Sequence, residues 1–205
     1  MYIPPEYLTT DTAEIVAFMQ QYSFATMITA PDSLPMATHL PFMVRKNEGN
    51  KIVLTAHLAK ANPQVQTLEN HAILVIFSEP HAYISPSNYG KQLNVPTWNY
   101  VAVHASGRAK LIADEAAVLQ VLEATINTYE AAYQAQWQSL PEHYKRGLMK
   151  DLVAFEIEVT SIQANKKLSQ DKPLADQQRI IASLAQSPHS NERAVSDYMQ
   201  QNLSS

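Results

Sequence analysis

One uninterrupted run of strand-forming residues, WNYVAVHASGRAKLIA at 98–113, limits the architecture before anything else is considered. Side chains of a strand alternate between its faces, so Val101, Val103, Ala105, Ala109 and Leu111 line one face and Trp98, Tyr100, His104, Ser106 and Arg108 the other. The first is a core face. The second is too aromatic for open solvent and too polar for an ordinary core, which is the character of a strand that walls a ligand pocket or a subunit interface. An amphipathic strand with a few exposed rings is the plainer reading of the same pattern. Strands of this length are typical of small barrels.

The neighbouring sequence supplies further strands. FATMIT (24–29), MATHLPFMV (36–44), KIVLTAH (51–57), AILVIFS (72–78) and HAYIS (81–85) are apolar or β-branched runs, broken at Pro31, at Asn47-Glu48-Gly49 and at Asn62-Pro63. LVAFEIEVTSI (152–162) returns to the same alternation. Helical spacing is confined to the periphery: Thr12–Tyr22 behind Asp11, a turn in ANPQVQTLEN (61–70), a helix from Asp114, a patch at 141–149, and helices at Ala175–Gln186 and Arg193–Asn202. The expectation is a mainly β, α+β chain with peripheral helices.

Composition removes several function classes. At 205 residues the chain is long enough for one moderate domain with a real core, and it has no cysteine, so disulfides, cysteine-ligated metals and thiol chemistry are excluded. Four glycines against 12 prolines leave no glycine-rich phosphate loop or dinucleotide fingerprint. A net charge of −4 argues against a surface built wholesale for nucleic acid. No run approaches a membrane span, and a cytoplasmic location is the default expectation. The seven histidines show no metal-site spacing, so no metal is expected. No catalytic residue stands out. Glu156 and Glu158 share a strand face, which points more to solvent than to an acid/base pair.

One local pattern suits an anion. In LTAHLAKANPQ (54–64) a strand end carries Thr55, His57 and Lys60 just before a turn opened by Asn62-Pro63, setting a hydroxyl, an imidazole and an ammonium beside free backbone N–H groups. A solvated strand-to-helix loop is the competing account.

The blocks MYIPPEY (1–7), ATHLPF (37–42), HLAKANPQ (57–64), VIFSEPHAYISPSNY (75–89), VPTWNYVAVHASG (95–107) and KLSQDKP (167–173) run in order along nearly the whole chain. Together they resemble the PaiB family of FMN-binding negative transcriptional regulators, whose fold is the FMN-binding split β-barrel. The resemblance implies a split-barrel domain over 1–172, a helical appendage over 173–205, FMN as cofactor, and a homodimer with flavin sites at the subunit interface. Thr55, His57, Lys60 and Asn62 then occupy the phosphate-binding position. Trp98, Asn99, Tyr100 and His104 fall to the flavin ring and its polar edge, and Lys167, Ser169 and Gln170 reach the site from the C-terminal segment. Two departures stand out. Asn88 replaces a commoner aromatic residue, and Lys60 a commoner arginine, which keeps the charge but loses the planar fork.

Two functions follow. One is a PaiB-type regulator that contains or responds to FMN, and the other a flavin-dependent oxidoreductase resembling flavin reductases or pyridoxamine-phosphate oxidases, with haem handling a weaker third. Direct DNA binding is not expected, because the chain has no helix-turn-helix with a basic recognition face. Its clearest basic cluster is Lys166, Lys167, Lys172 and Arg179.

Overall fold

The computed structural model describes residues 1–204. Seven strands form one antiparallel sheet: β1 (Phe24–Thr29), β2 (Met36–Pro41), β3 (Met43–Lys46), β4 (Ile52–Ala59), β5 (Ile73–Ile84), β6 (Thr97–Ile112) and β7 (Leu152–Lys167), in the order β2-β1-β5-β6-β7-β4-β3. The described residues also form six α-helices: α1 (Thr12–Gln21), α2 (Glu115–Tyr129), α3 (Gln134–Ser139), α4 (Glu142–Met149), α5 (Leu174–Ala185) and α6 (Ser190–Ser204). The mainly β architecture with peripheral helices is as the alternation of the sequence implies.

The chain divides into two compact units. The first comprises residues 16–76 and 105–162. Here the outermost strands of the sheet order, β2 and β3, are separated in sequence by Phe42 alone, so the chain leaves one sheet edge and enters the other within a single residue. That continuity curls the strands into a barrel, the arrangement that leaves least open edge. The MATHLPFMV run reads as one strand, but it changes partner at Phe42: Met36–Pro41 pairs with β1 and Met43–Lys46 with β4. Phe42 itself is buried, its ring 6.4 Å from that of Phe155 in an edge-on pair. Gly107 is required where β6 approaches β7, since a Cβ there would lie 2.2 Å from the Glu158 carbonyl oxygen. Asp114 caps α2 by accepting from the Ala117 N–H at 2.9 Å, which fixes where β6 gives way to helix.

The second unit comprises residues 1–15, 77–104 and 163–204. Helices α5 and α6 pack here around Ile180, Leu184, Val195 and Met199, all buried. Two runs that read as separate strands, 72–78 and 81–85, form the single β5, which continues through Pro80. Pro80 lies beyond the Leu74–Ile76 stretch that pairs with β1, so its missing N–H costs no bond of that ladder. β7 also runs on past residue 162 to Lys167. Its last five residues are therefore sheet, beyond the 152–162 run in which the alternation is read.

Candidate functional site

Each unit holds part of the predicted constellation. In the barrel unit, Thr55 and His57 lie on β4, Lys60 just after it, and Asn62 at the start of a 3₁₀ turn over Pro63–Thr67. The four side chains have different fates. Thr55 is buried and its hydroxyl faces the Glu156 carboxylate at 3.5 Å, at the wall of an open cleft of about 390 Å³ that Arg45 and Gln120 also line. Glu156 is in turn paired with Arg45 at 2.7 Å, and Glu158 with Lys51 at 2.7 Å, so the two glutamates form surface ion pairs. Asn62 is fully engaged: its Oδ1 accepts from the Gln64 N–H at 2.9 Å and its Nδ2 donates to Thr38 Oγ1 at 3.0 Å.

That leaves His57 and Lys60 as groups able to meet an anion. His57 is half-buried, and burial pushes its imidazole below the ordinary histidine value, so it is neutral at neutral pH. Lys60 is exposed and its ammonium has no protein partner among the described residues. The turn that follows them is rigid for a visible reason. Gln64, wholly buried, donates to Thr29 Oγ1 at 3.1 Å and to the Met27 and Met36 carbonyls, while its Oε1 accepts from Thr38 Oγ1 at 2.6 Å. Thr67 adds bonds to Thr29 and to the Gln64 carbonyl.

In the second unit, β5 and β6 present a half-open aromatic face. Trp98 is 53% exposed and Tyr83 47%, with ring centroids 5.9 Å apart, and the His81 ring lies 6.0 Å from that of Trp98. Tyr100 is half-buried, and its hydroxyl accepts from Asn165 Nδ2 at 2.9 Å. His104 is half-buried, and burial, with the Met1 ammonium second, lowers its pKa. The opening sequence pattern is thus realised: Asn99, Val101, Val103 and Ala105 are buried, while Trp98, Tyr100 and His104 stand on the more open face.

The C-terminal segment folds on itself. Ser169 takes a left-handed backbone with φ of 59°, an unusual conformation for a residue with a Cβ, and its hydroxyl donates to Asn99 Oδ1 at 3.0 Å. Asn99, fully buried, completes its bonding through Nδ2 to Met199 Sδ. Gln170 closes the same turn, accepting from the Leu168 N–H and donating to the Lys166 carbonyl, both at 2.6 Å. Lys167 donates to Thr97 Oγ1 at 2.6 Å. The other members of the basic cluster are paired with acids: Lys166 with Glu14, Lys172 with Asp171, and Arg179 with Asp176.

Three residues of this face were not singled out from the sequence. His81 and Tyr83 flank Trp98, and Asn165 meets Tyr100. Asn165 is hidden in the sequence because the alternation of β7 weakens after residue 162. Its Oδ1 is buried and has no hydrogen-bond partner, although the side chain is only 2% exposed. An unpaired buried acceptor is rare in a folded chain and is completed by a water, a ligand or another chain.

A flavin needs a flat apolar wall, a few hydrogen bonds to its polar edge, and a cation for its phosphate. Within the second unit Trp98, Tyr83, Tyr100 and the orphaned Asn165 are residues of the first two kinds. Within the barrel unit Lys60 is a residue of the third kind. Taken unit by unit, the residue types fit such a group.

Comparison with known proteins agrees. Residues 1–161 match the family described as "Putative FMN-binding domain". The chain is 37% identical to Protease synthase and sporulation protein PAI 2 of Bacillus subtilis, over 99% of this chain and 98% of that protein. It is also 27% identical to an uncharacterized protein of Emericella nidulans over 73% of this chain and 74% of that one. Among solved structures, the flavocytochrome Anf3 of Azotobacter vinelandii superposes with a TM-score of 0.62 at 18% identity, covering 80% of this chain and 72% of that one. The FAD and heme binding protein of Mycobacterium smegmatis gives 0.63 at 14% identity, covering 86% and 80%. The fold is that of the flavin-binding split barrels. With a family match over most of its length and a full-length relative in PAI 2, the chain belongs to the PaiB-type FMN-binding family, and its cofactor is FMN.

Proposed function

We propose that this protein works as an FMN-loaded homodimer of the PaiB type, acting as a regulator through its flavin or through a protein partner and not by gripping DNA. The observation that carries the reading is the half-open face of Trp98, Tyr83 and Tyr100, which a flat aromatic cofactor and a second copy of the chain would both cover. Lys60, with His57 behind it, is the group we assign to the phosphate. FMN, when bound, supplies hydride and electron transfer, and the chain supplies position and shielding. The name of the PAI 2 relative, which refers to protease synthesis and sporulation, favours a regulatory role. Within the 166–179 basic cluster, pairing of Lys166, Lys172 and Arg179 with acids leaves only Lys167 without a carboxylate, which weakens that cluster as a seat for DNA phosphates.

No helix among the described residues is long and apolar enough to cross a membrane, and we place the protein in the cytoplasm, a location that cell fractionation tests. The deciding experiment is an absorbance spectrum of the purified protein, followed by anaerobic titration with NADH and with NADPH. A flavin spectrum that neither nicotinamide bleaches supports the regulator. Rapid bleaching with turnover in air would move the oxidoreductase reading ahead. Lys60→Ala is expected to weaken FMN far more than riboflavin, by about tenfold or more, as measured by fluorescence titration. Equal losses would remove Lys60 from the phosphate. Light scattering at micromolar concentration checks the dimer, and a monomer there would overturn it.

A further inference from the structure

Among Trp98, Asn99 and Tyr100, the side chains implied for the flavin's ring and polar edge, the amide of Asn99 is fully buried and bonded to Ser169 and Met199. Asn165 has what Asn99 lacks, an amide oxygen with no partner. Resting on the FMN reading above, we propose that Asn165 and Tyr100 form a two-point recognition element for a cyclic imide edge, the N–H flanked by carbonyls that a flavin ring presents at N3.

The hydrogen-bond inventory of the pair makes the case. Asn165 Nδ2 donates to the Tyr100 oxygen at 2.9 Å, so Tyr100 keeps its own hydroxyl hydrogen to give, and Asn165 Oδ1 keeps its lone pairs to receive. One free acceptor beside one free donor complements an imide N–H beside its carbonyl. Turning the amide over changes nothing essential. Tyr100 would then donate to Oδ1, leaving an Nδ2 hydrogen as the free donor and a tyrosine lone pair as the free acceptor. Either state is unpaired in the protein alone and paired by the same ligand edge. Tyr100 is half-buried beside the exposed Trp98, so the open side of β6 leads to the tyrosine, while the Asn165 oxygen is covered in the free chain and has to be uncovered as the ligand edge enters.

Asn165 and Tyr100 are uncharged and recognise the ring edge alone, so a ring without a phosphate tests them separately from Lys60. The probes are lumiflavin, which has the ring and no phosphate, and 3-methyllumiflavin, in which the N3 hydrogen is replaced by a methyl group. Wild-type protein is expected to bind lumiflavin about tenfold more tightly than the methylated ring. Asn165→Leu is expected to lower lumiflavin affinity by a similar factor and to shrink the discrimination, because one of the two contacts to the imide edge is lost and only Tyr100 remains. The ligand-side comparison uses unaltered protein, so it stands even where the variant folds poorly. Equal wild-type binding of the two rings overturns the assignment and leaves Asn165 to water or a subunit contact, with the FMN reading intact. Failure of wild-type protein to bind FMN or either ring overturns both.

Discussion

Two buried amides, Gln64 in the barrel unit and Asn165 in the other, separate what this fold uses to hold itself together from what it holds in reserve. Gln64 is 0% exposed, and its amide nitrogen and oxygen both have protein partners. Asn165 is 2% exposed, and its oxygen has none. Their burial is equal, so desolvation costs each about the same, and only the return differs. A satisfied amide rigidifies its surroundings. Gln64 ties the turn after Lys60 to β1 and β2, so the proposed phosphate-binding stretch is fixed before any ligand arrives. An amide satisfied on one side is tolerated where something outside the chain completes it.

The comparison predicts unequal responses to the same substitution, and the larger belongs to the barrel. Gln64→Leu strands the Thr38 hydroxyl hydrogen and the Met27 and Met36 carbonyls, so the loss of stability is expected at about 3 kcal/mol. For a chain of this size that lowers Tm by about 6–12 °C, readable by calorimetry or circular dichroism. Asn165→Leu removes an atom that was already unpaired and forfeits only the bond to Tyr100, so stability in the absence of flavin should change by no more than about 1 kcal/mol. Were Asn165→Leu the more damaging of the two, the distinction drawn between the amides would collapse.

The sequence made the barrel easier to read than the site, and the reason lies in what each depends on. Alternation over 24–29 and 98–113 and the aspartate caps at residues 11 and 114 are local signals, and the structure places strands and helix starts there within a residue or two. The misread boundaries all sit where a non-local partner decides. Residues 36–44 split because the chain changes strands at Phe42, β5 survives Pro80 because that position lies outside the β1 ladder, and β7 outlasts its apolar pattern. Side-chain roles depend still more on tertiary partners. Asn99 and Asn165 look alike in sequence, and only the positions of Ser169 and Met199 reveal that one is saturated and the other not.

A finer test compares two histidines, His57 in the barrel and His104 on β6, and it carries the smallest expected effect. Burial is the leading cause that lowers both below the ordinary value near ~6.5, with the Met1 ammonium adding to the shift at His104. A lowered histidine resists protonation in the folded state only. Above about pH 6.5 neither state carries the proton and the group costs nothing. As the pH falls through that value the unfolded chain takes up a proton that the folded chain refuses, so stability declines until the folded pKa is reached and then levels off. His57→Gln should flatten part of that decline, as followed by urea midpoints between about pH 7.5 and about pH 5.5, and His104→Gln a smaller part if its greater exposure softens the penalty. A phosphate set beside His57 would favour its charged form, so inorganic phosphate should lessen the acid loss in wild type and not in His57→Gln. An equal phosphate effect in both proteins would take His57 out of the anion-binding stretch while leaving Lys60 in it.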